Sequence, residues 1–198
     1  MQLRGPCQGL SLIELMIGLA IFGFLFFAGL PSVTTWIQNS QIRTATESIA
    51  SGLTLARGEA VKRNGTVEFV MTNTDPIAAN VNAIVADAAG RNWVVRYFDT
   101  SLNPGAYVFV DGRWGKEGRG GGDGEESGAT IAATESTFSF NGLGRTSLAA
   151  QVDVDITNPY GGSCAPEGDM RCLRVAVTPW GQVKMCDPAV GTGDSRAC

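Results

Sequence analysis

The chain has 198 residues, of which 44% are hydrophobic and 17% charged, a composition that indicates a folded protein and excludes a disordered one. Its formal net charge is −4, and acidic chains are poor candidates for binding nucleic acid. It contains no histidine, which excludes histidine-based catalytic triads and removes the commonest metal ligand. Since no nucleophile motif is recognisable either, we expect a protein that is not an enzyme and that holds no cofactor and no metal.

The amino-terminal segment joins a short polar leader to a long apolar run. The run extends from Leu10 to Leu30, which is long enough to cross a bilayer as a helix. Glu14 interrupts it near its start, although an ionised side chain within hydrocarbon costs roughly 2.5 to 3.5 kcal/mol. A secretory signal peptide would not place a glutamate there, and a lipoprotein signal would need an apolar stretch before Cys7. A plain membrane anchor remains an alternative, but it leaves Glu14 unexplained.

After the apolar run the hydrophobic pattern becomes one-sided. Apolar residues recur at steps of three and four, which predicts an amphipathic helix over residues 31–64. The apolar face consists of Ile42, Ala45, Ile49, Leu53, Ala56 and Ala60, and the other faces carry Gln41, Arg43, Thr46, Glu47, Arg57 and Lys62. The helix should end near Asn64 and Gly65, with the glycine in the left-handed cap. Pro31 and nearby glycines predict a point at which the helix can bend or locally unwind.

Residues 65–198 predict a domain rich in β-strands. Alternation of period two is found from Thr66 to Met71, and comparable signals lie at residues 92–98, 106–110, 137–140, 151–156 and 172–177. Pro179-Trp180-Gly181 can turn the chain into a last strand, so that Leu173, Val175 and Val177 face the same side as Val183 and Met185. One long helix followed by mostly antiparallel strands is an α+β fold.

Residues 112–128 concentrate glycine around three acidic side chains, Asp123, Glu125 and Glu126. A phosphate-binding loop would end in Gly-Lys-Ser or Gly-Lys-Thr before a helix, and this stretch does not. The acidic residues also lack the spacing of a twelve-residue calcium loop. We therefore interpret the stretch as a flexible surface loop.

Four of the five cysteines, Cys164, Cys172, Cys186 and Cys198, lie within the last 35 residues. An even set of this kind suits two disulfides in an oxidising compartment, so this part of the chain should face the periplasm or the outside. Three pairings are open, and the local pairs Cys164 with Cys172 and Cys186 with Cys198 are favoured. A zinc site is the alternative, but the usual spacing of two residues between cysteines is missing.

The sequence Gly9-Leu10-Ser11-Leu12-Ile13-Glu14, followed by the apolar run, resembles the class III signal of type IV prepilins and type II secretion pseudopilins. The resemblance implies that a prepilin peptidase cuts after Gly9 and methylates Leu10, where the family usually has phenylalanine. Removal of residues 1–9 takes away Arg4 and leaves 14 basic and 19 acidic residues, a net charge of −5. In that family the glutamate corresponding to Glu14 pairs with the terminal amine of a subunit during assembly, and a proline at the position of Pro31 provides curvature and local melting.

The soluble part is similar to the FimT, FimU and GspH group of minor pilins. The similarity lies in Phe138-Ser139-Phe140-Asn141-Gly142 and in Thr178-Pro179-Trp180-Gly181-Gln182-Val183-Lys184-Met185-Cys186. It implies a structural subunit that takes part in initiation, priming or tip assembly of a type IV pilus, with a minor pseudopilin of type II secretion as the alternative. The implied partners are other minor and major pilins, an inner-membrane assembly platform and, before assembly, membrane lipid. The subunit would cross the bacterial inner membrane once, with its C-terminal domain in the periplasm, before it enters the filament.

Some members of this group bind DNA through a C-terminal Gly-Arg-x-Arg motif. The matching positions here are Gly181-Gln182-Val183-Lys184, so one arginine is lost and the other is lysine. Arg174, Lys184 and Arg196 could still form a small basic patch, although phosphate binding needs several cations. DNA reception during natural transformation is therefore an alternative function that the basic motif only weakly supports.

Overall fold

The computed structural model describes residues 11–115 and 128–198, apart from the side chains of residues 26–32. One long helix, α1 (Leu12–Arg63), opens the described chain. Eight strands follow it within the described ranges: β1 (Val67–Thr72), β2 (Asn92–Asp99), β3 (Ala106–Arg113), β4 (Thr130–Ala133), β5 (Thr137–Phe140), β6 (Val152–Thr157), β7 (Leu173–Val177) and β8 (Val183–Cys186). Short 3-10 helices at Ala78–Asn80 and Pro159–Gly161 lie in the connections. Gly9, Leu10, Cys7 and the acidic residues Asp123, Glu125 and Glu126 lie outside the described residues.

The described strands form two four-stranded sheets, in the orders β3-β2-β1-β5 and β4-β6-β7-β8. Each pair of neighbouring strands is antiparallel. The second half of α1 contacts strands of both sheets, so it serves as the common support of the domain. This arrangement confirms the α+β fold, with a long helix packed on antiparallel sheets.

The face of α1 that packs on the sheets follows the predicted one-sided pattern. Ile42, Ile49, Leu53, Ala56 and Ala60 are all buried, and Ala45 is half-buried. The prediction for Thr46 was wrong, because the sequence pattern placed this residue on another face and the structure buries it completely. Its Oγ1 donates a hydrogen bond to the carbonyl oxygen of Ile42 at 2.7 Å. The hydroxyl is therefore satisfied within the helix and can be buried at low cost.

The end of α1 differs from the prediction by one residue. Asn64, and not Gly65, adopts the left-handed conformation with φ of 48°. The backbone nitrogen of Gly65 donates to the carbonyl oxygen of Ala60 at 3.1 Å, which satisfies one of the free carbonyls at the helix end. Asparagine tolerates this conformation better than other residues with a side chain, which explains why the glycine is not needed there. At the other predicted irregularity, Pro31, the helix is continuous.

Two strand predictions also need correction. The sequence pattern missed β4, whose four residues alternate weakly and which is recognisable only from its pairing with β6. Met185 was expected on the buried side with Val183, yet its side chain is 38% exposed. The register is as predicted, with Val175 opposite Met185 and Val177 opposite Val183. Met185 is exposed because β8 is the outermost strand of its sheet.

A glycine on the buried face of α1 allows the aromatic core to lie directly against the helix. A Cβ atom at Gly52 would lie 2.7 Å from Cε2 of Phe69 and 3.0 Å from two ring atoms of Trp93. The ring centroids of Phe69 and Trp93 are 5.5 Å apart, and that of Phe138 is 6.1 Å from Phe69. Since these rings pack on each other, they cannot move away from α1 without disturbing the core.

We predict that Gly52→Ala destabilises the domain by about 1 to 3 kcal/mol, because the added methyl group overpacks the aromatic cluster. Gly58→Ala is the matched control, since nothing lies within 4 Å of a Cβ atom at Gly58. The control should instead stabilise the helix by roughly 0.5 to 1 kcal/mol. Urea unfolding of the two variants in detergent micelles measures the difference. Equal stabilities would show that Gly52 is not a packing requirement.

Candidate functional site

The first half of α1 is apolar on all sides. From Leu12 to Leu25, which we call the apolar half, the large hydrophobic side chains are between 55% and 78% exposed. A helix that is hydrophobic all round belongs inside a larger apolar environment. Burying each such side chain contributes roughly 1.5 to 3 kcal/mol. The described residues of the subunit do not cover the apolar half, so its burial requires a cover from outside them.

Glu14 is the one charged residue among the described side chains from Ser11 to Leu25. It lies in the first turn of α1, where its backbone nitrogen donates to the carbonyl oxygen of Ser11 at 3.1 Å. A carboxylate at this position is favoured by the helix dipole, because the free backbone N–H groups of the first turn lie nearby. The carboxylate thus lies at the start of the helix, within a surface that is otherwise apolar.

Within the part of the chain that the structure describes, no helix is long and apolar enough to cross a membrane. The predicted transmembrane segment comprises residues 10–30. Leu10 and the side chains of residues 26–30 lie outside the described part of the chain.

Both cysteine pairs are joined in the structure. Cys164 is bonded to Cys172 and Cys186 to Cys198, with Cα–Cα distances of 5.5 and 5.0 Å. These are the local pairs that the sequence favours. No group of side chains suited to hold a metal ion is found among the described residues.

The loop that contains the first disulfide is tied to α1 at the point where the helix enters the domain. Three consecutive polar contacts, which we call the polar clasp, join residues 38–41 to residues 158–171. They are Gln38 Nε2 to the Tyr160 carbonyl at 3.2 Å, Arg171 N to Asn39 Oδ1 at 2.7 Å, and Asn158 Nδ2 to Gln41 Oε1 at 3.1 Å. Asn158 is nearly completely buried, so its hydrogen bond is needed. The clasp fixes the direction in which the apolar half leaves the domain.

The three candidate DNA-binding cations are each held by acceptors of the subunit itself. Arg174 donates to Asp155 at 2.7 Å and to Asp153 at 2.9 Å, and the hydrogen bond with Asp155 raises the pKa of the guanidinium. Lys184 Nζ donates to the carbonyl oxygen of Ala197 at 2.7 Å.

Arg196, the third candidate DNA-binding cation, forms an ion pair with Asp194 at 2.6 Å. Arg174 in β7 and Lys184 in β8 lie on neighbouring strands. Arg174 is opposite Cys186, and Lys184 is opposite Ala176. Their hydrogen bonds would nevertheless have to be broken or shared before any of the three could bind phosphate.

A different exposed surface was not predicted from the sequence. Near the C-terminal end of α1, the helix packs against the loop that contains Leu143 and Arg145 and against the turn that contains Trp180. Together with Arg57 and Val61 of the helix, these three residues form a surface that we call the helix-end patch. Arg145 lies over the Trp180 ring, 4.7 Å from its centroid. Leu143 and Trp180 are 79% and 66% exposed. The available signals were a leucine between two glycines and a tryptophan in a Pro-Trp-Gly turn, but only the fold brings them together.

Two family models match the chain. The model described as "Type II transport protein GspH" matches residues 45–181, and the prokaryotic N-terminal methylation motif matches residues 4–30. The first match spans more than half of the chain. The chain belongs to the GspH family. Gly9, Leu10 and Glu14 all lie within the match to the methylation motif.

The fold of this GspH-family chain is similar to that of a solved pilin. A crystal structure of the type IV minor pilin FimU of Pseudomonas aeruginosa PAO1 matches with a TM-score of 0.52 and 11% identity, over 76% of this chain and 91% of FimU. A second crystal form of FimU matches with a TM-score of 0.43 and 13% identity, over 72% and 90%. No curated protein sequence matches this chain.

The family and the fold confirm the resemblance stated from the sequence. The chain is a minor pilin or pseudopilin, of the type IV pilus or type II secretion type. Its family and fold are those of structural pilins.

We predict that the pKa of Asp194 is about 2, well below 3.8, because Arg196 donates hydrogen bonds to the carboxylate. The ion pair should persist above this pH and be lost as the pH falls through about 2. Arg196→Gln should move the pKa of Asp194 back up towards 3.8. Arg171→Gln is the control and should move it less, since Arg171 acts only through its charge. Carboxyl NMR titration measures both, and an Asp194 pKa that Arg196→Gln leaves unchanged would show that Arg196 is free.

Proposed function

We propose that this chain is a structural minor pilin that takes part in initiation, priming or tip assembly of a type IV pilus. In this proposal a prepilin peptidase removes residues 1–9 and methylates Leu10. The observation that carries it is the apolar half of α1, exposed on every side and charged only at Glu14 within residues 11–25. Such a helix suits a subunit that is first held in lipid and then surrounded by the helices of other subunits.

Glu14 would act as the device that sets the register of assembly. Cleavage after Gly9 creates a positively charged amine at Leu10, close to the start of α1. In a low dielectric, a carboxylate and an amine from neighbouring subunits attract each other strongly, and either of them buried alone is costly. Only one axial position lets the two meet, so the charge pair selects that position among many apolar contacts of similar energy.

Before assembly, the subunit would cross the inner membrane once and hold its domain in the periplasm. The two disulfides support this placement, because disulfides persist in oxidising compartments. Its partners would be the peptidase, the assembly platform and other minor and major pilins. We propose no catalytic activity and no cofactor for it, and no DNA receptor role, since Arg174, Lys184 and Arg196 bind groups of the subunit itself.

A minor pseudopilin of type II secretion is the second candidate, favoured by the match to the GspH family model. Deletion of the gene separates the two functions. Loss of surface pili with normal export of secreted enzymes supports the pilus, and the reverse result supports the secretion system.

We predict that Glu14→Ala leaves leader cleavage intact but lowers incorporation into filaments at least about tenfold, because the amine of the neighbouring subunit loses its partner. Glu47→Ala is the matched control on the same helix. Glu47 pairs with Arg43 at the surface, where such pairs contribute little. Immunoblots of sheared filaments and of membranes, compared in the same cells, measure incorporation and cleavage.

Normal incorporation of the Glu14→Ala protein would refute the register role of Glu14. Failure of cleavage in that variant would place the glutamate in recognition by the peptidase instead.

A further inference from the structure

The helix-end patch exposes apolar and cationic side chains side by side. Leu143, Trp180 and Val61 are 79%, 66% and 51% exposed. Arg57 and Arg145 are exposed beside them. Tryptophan, tyrosine and arginine are enriched among the residues that dominate protein–protein binding energy, and the patch contains two of these three types.

The backbone beneath the patch is built tightly. Gly144 and Gly181 have φ of 72° and 78°, which favours glycine at both positions. A Cβ atom at Gly181 would overlap the carbonyl oxygen of Gly144, and one at Gly144 would lie 3.2 Å from Cγ2 of Val61. The Thr146 nitrogen and hydroxyl also donate to the carbonyls of Pro179 and Thr178, at 3.0 and 3.2 Å. The loop, the turn and the helix end thus form one preformed surface, which lowers the entropic cost of binding a partner.

The two arginines of the patch have no carboxylate partner among the described residues. This contrasts with Arg96 and Arg174, which are held by Glu68 and by two aspartates. The contrast is notable in a chain whose acidic residues outnumber its basic ones. Two unpaired guanidinium groups beside an exposed indole attract a partner that carries carboxylates.

The apolar side chains of the patch indicate whether its acidic partner is a nucleic acid or a protein. A nucleic acid is bound through many phosphate contacts, and the patch supplies only two cations. Exposed aliphatic side chains such as Leu143 and Val61 add nothing to phosphate binding, but they pack well against the apolar residues of another protein. The patch therefore fits a protein segment and not a nucleic acid backbone.

The patch also remains accessible when the apolar half of α1 is covered. Arg57 lies 32 residues after Leu25 along a continuous helix, a distance of roughly 48 Å at 1.5 Å per residue. A membrane or a bundle of helices around the apolar half leaves this end of the subunit free.

We infer that the helix-end patch docks another protein, through a segment of that protein in which an apolar side chain is flanked by Asp or Glu. The apolar side chain contacts Leu143 and Trp180, and the carboxylates pair with Arg57 and Arg145. This docking function is independent of the role proposed for Glu14.

Site-specific photocrosslinking in the native host tests the inference on the full chain. A benzophenone amino acid replaces Leu143, and the same replacement at Val85 is the control. Val85 is 70% exposed and lies beside Thr72, the last residue of β1, whose hydroxyl donates to the carbonyl oxygen of Val85. We expect a protein adduct at position 143 and not at 85. The crosslinked peptide, identified by mass spectrometry, should contain an apolar residue with at least two neighbouring acidic residues.

The double change Arg57→Gln with Arg145→Gln should reduce the adduct about tenfold, as the loss of two charge contacts implies. Arg43→Gln is the control and should leave the adduct unchanged, because Arg43 pairs with Glu47 on another part of α1. Normal accumulation of each variant with both disulfides formed shows that folding is intact. The inference is overturned by an adduct no stronger than at Val85, by a nuclease-sensitive adduct, by a partner peptide without acidic residues, or by an adduct that the arginine changes do not reduce.

Discussion

The two halves of one continuous helix, α1, must be buried in two different environments. The second half of α1 is amphipathic and is covered by the subunit's own two sheets. The first half is apolar on all sides and is covered by nothing within the described subunit. Because hydrophobic burial is the largest favourable term in folding and association, that exposed surface drives the chain towards lipid or towards other helices. Hydrophobic attraction alone does not specify how the helices align. Glu14 places one charged side chain at a defined position on this apolar surface.

The domain holds the second half of the helix along its length, from residues 38–41 to its C-terminal end. Small residues on the buried face, among them Gly52, Ala56 and Ala60, bring the sheets close to the helix axis. The polar clasp then ties residues 38–41 to the loop closed by the Cys164–Cys172 disulfide. A force on the apolar half is thus passed to both sheets through packing and to the loop through hydrogen bonds. This suits the role that we propose, in which the subunit is moved from a membrane into a filament.

Much of this could be predicted from the sequence because it depends on local periodicity. The apolar run, the one-sided helix and most of the strands repeat with periods that a single sequence displays. Features that depend on distant pairing were not predictable. β4 exists because β6 lies beside it, and Arg174 is paired with aspartates of a neighbouring strand. The helix-end patch combines residues near positions 60, 144 and 180, which only the fold brings together.

Intact-mass spectrometry of the protein extracted from membranes and from filaments measures whether residues 1–9 are removed and Leu10 is methylated. We predict a mature chain that begins at Leu10, carries one methyl group at its amino terminus and has the same mass in both fractions. A chain that begins at Met1, or one cut near Pro31, would contradict it, because neither would place a new amine at the start of the apolar half for Glu14 to pair with.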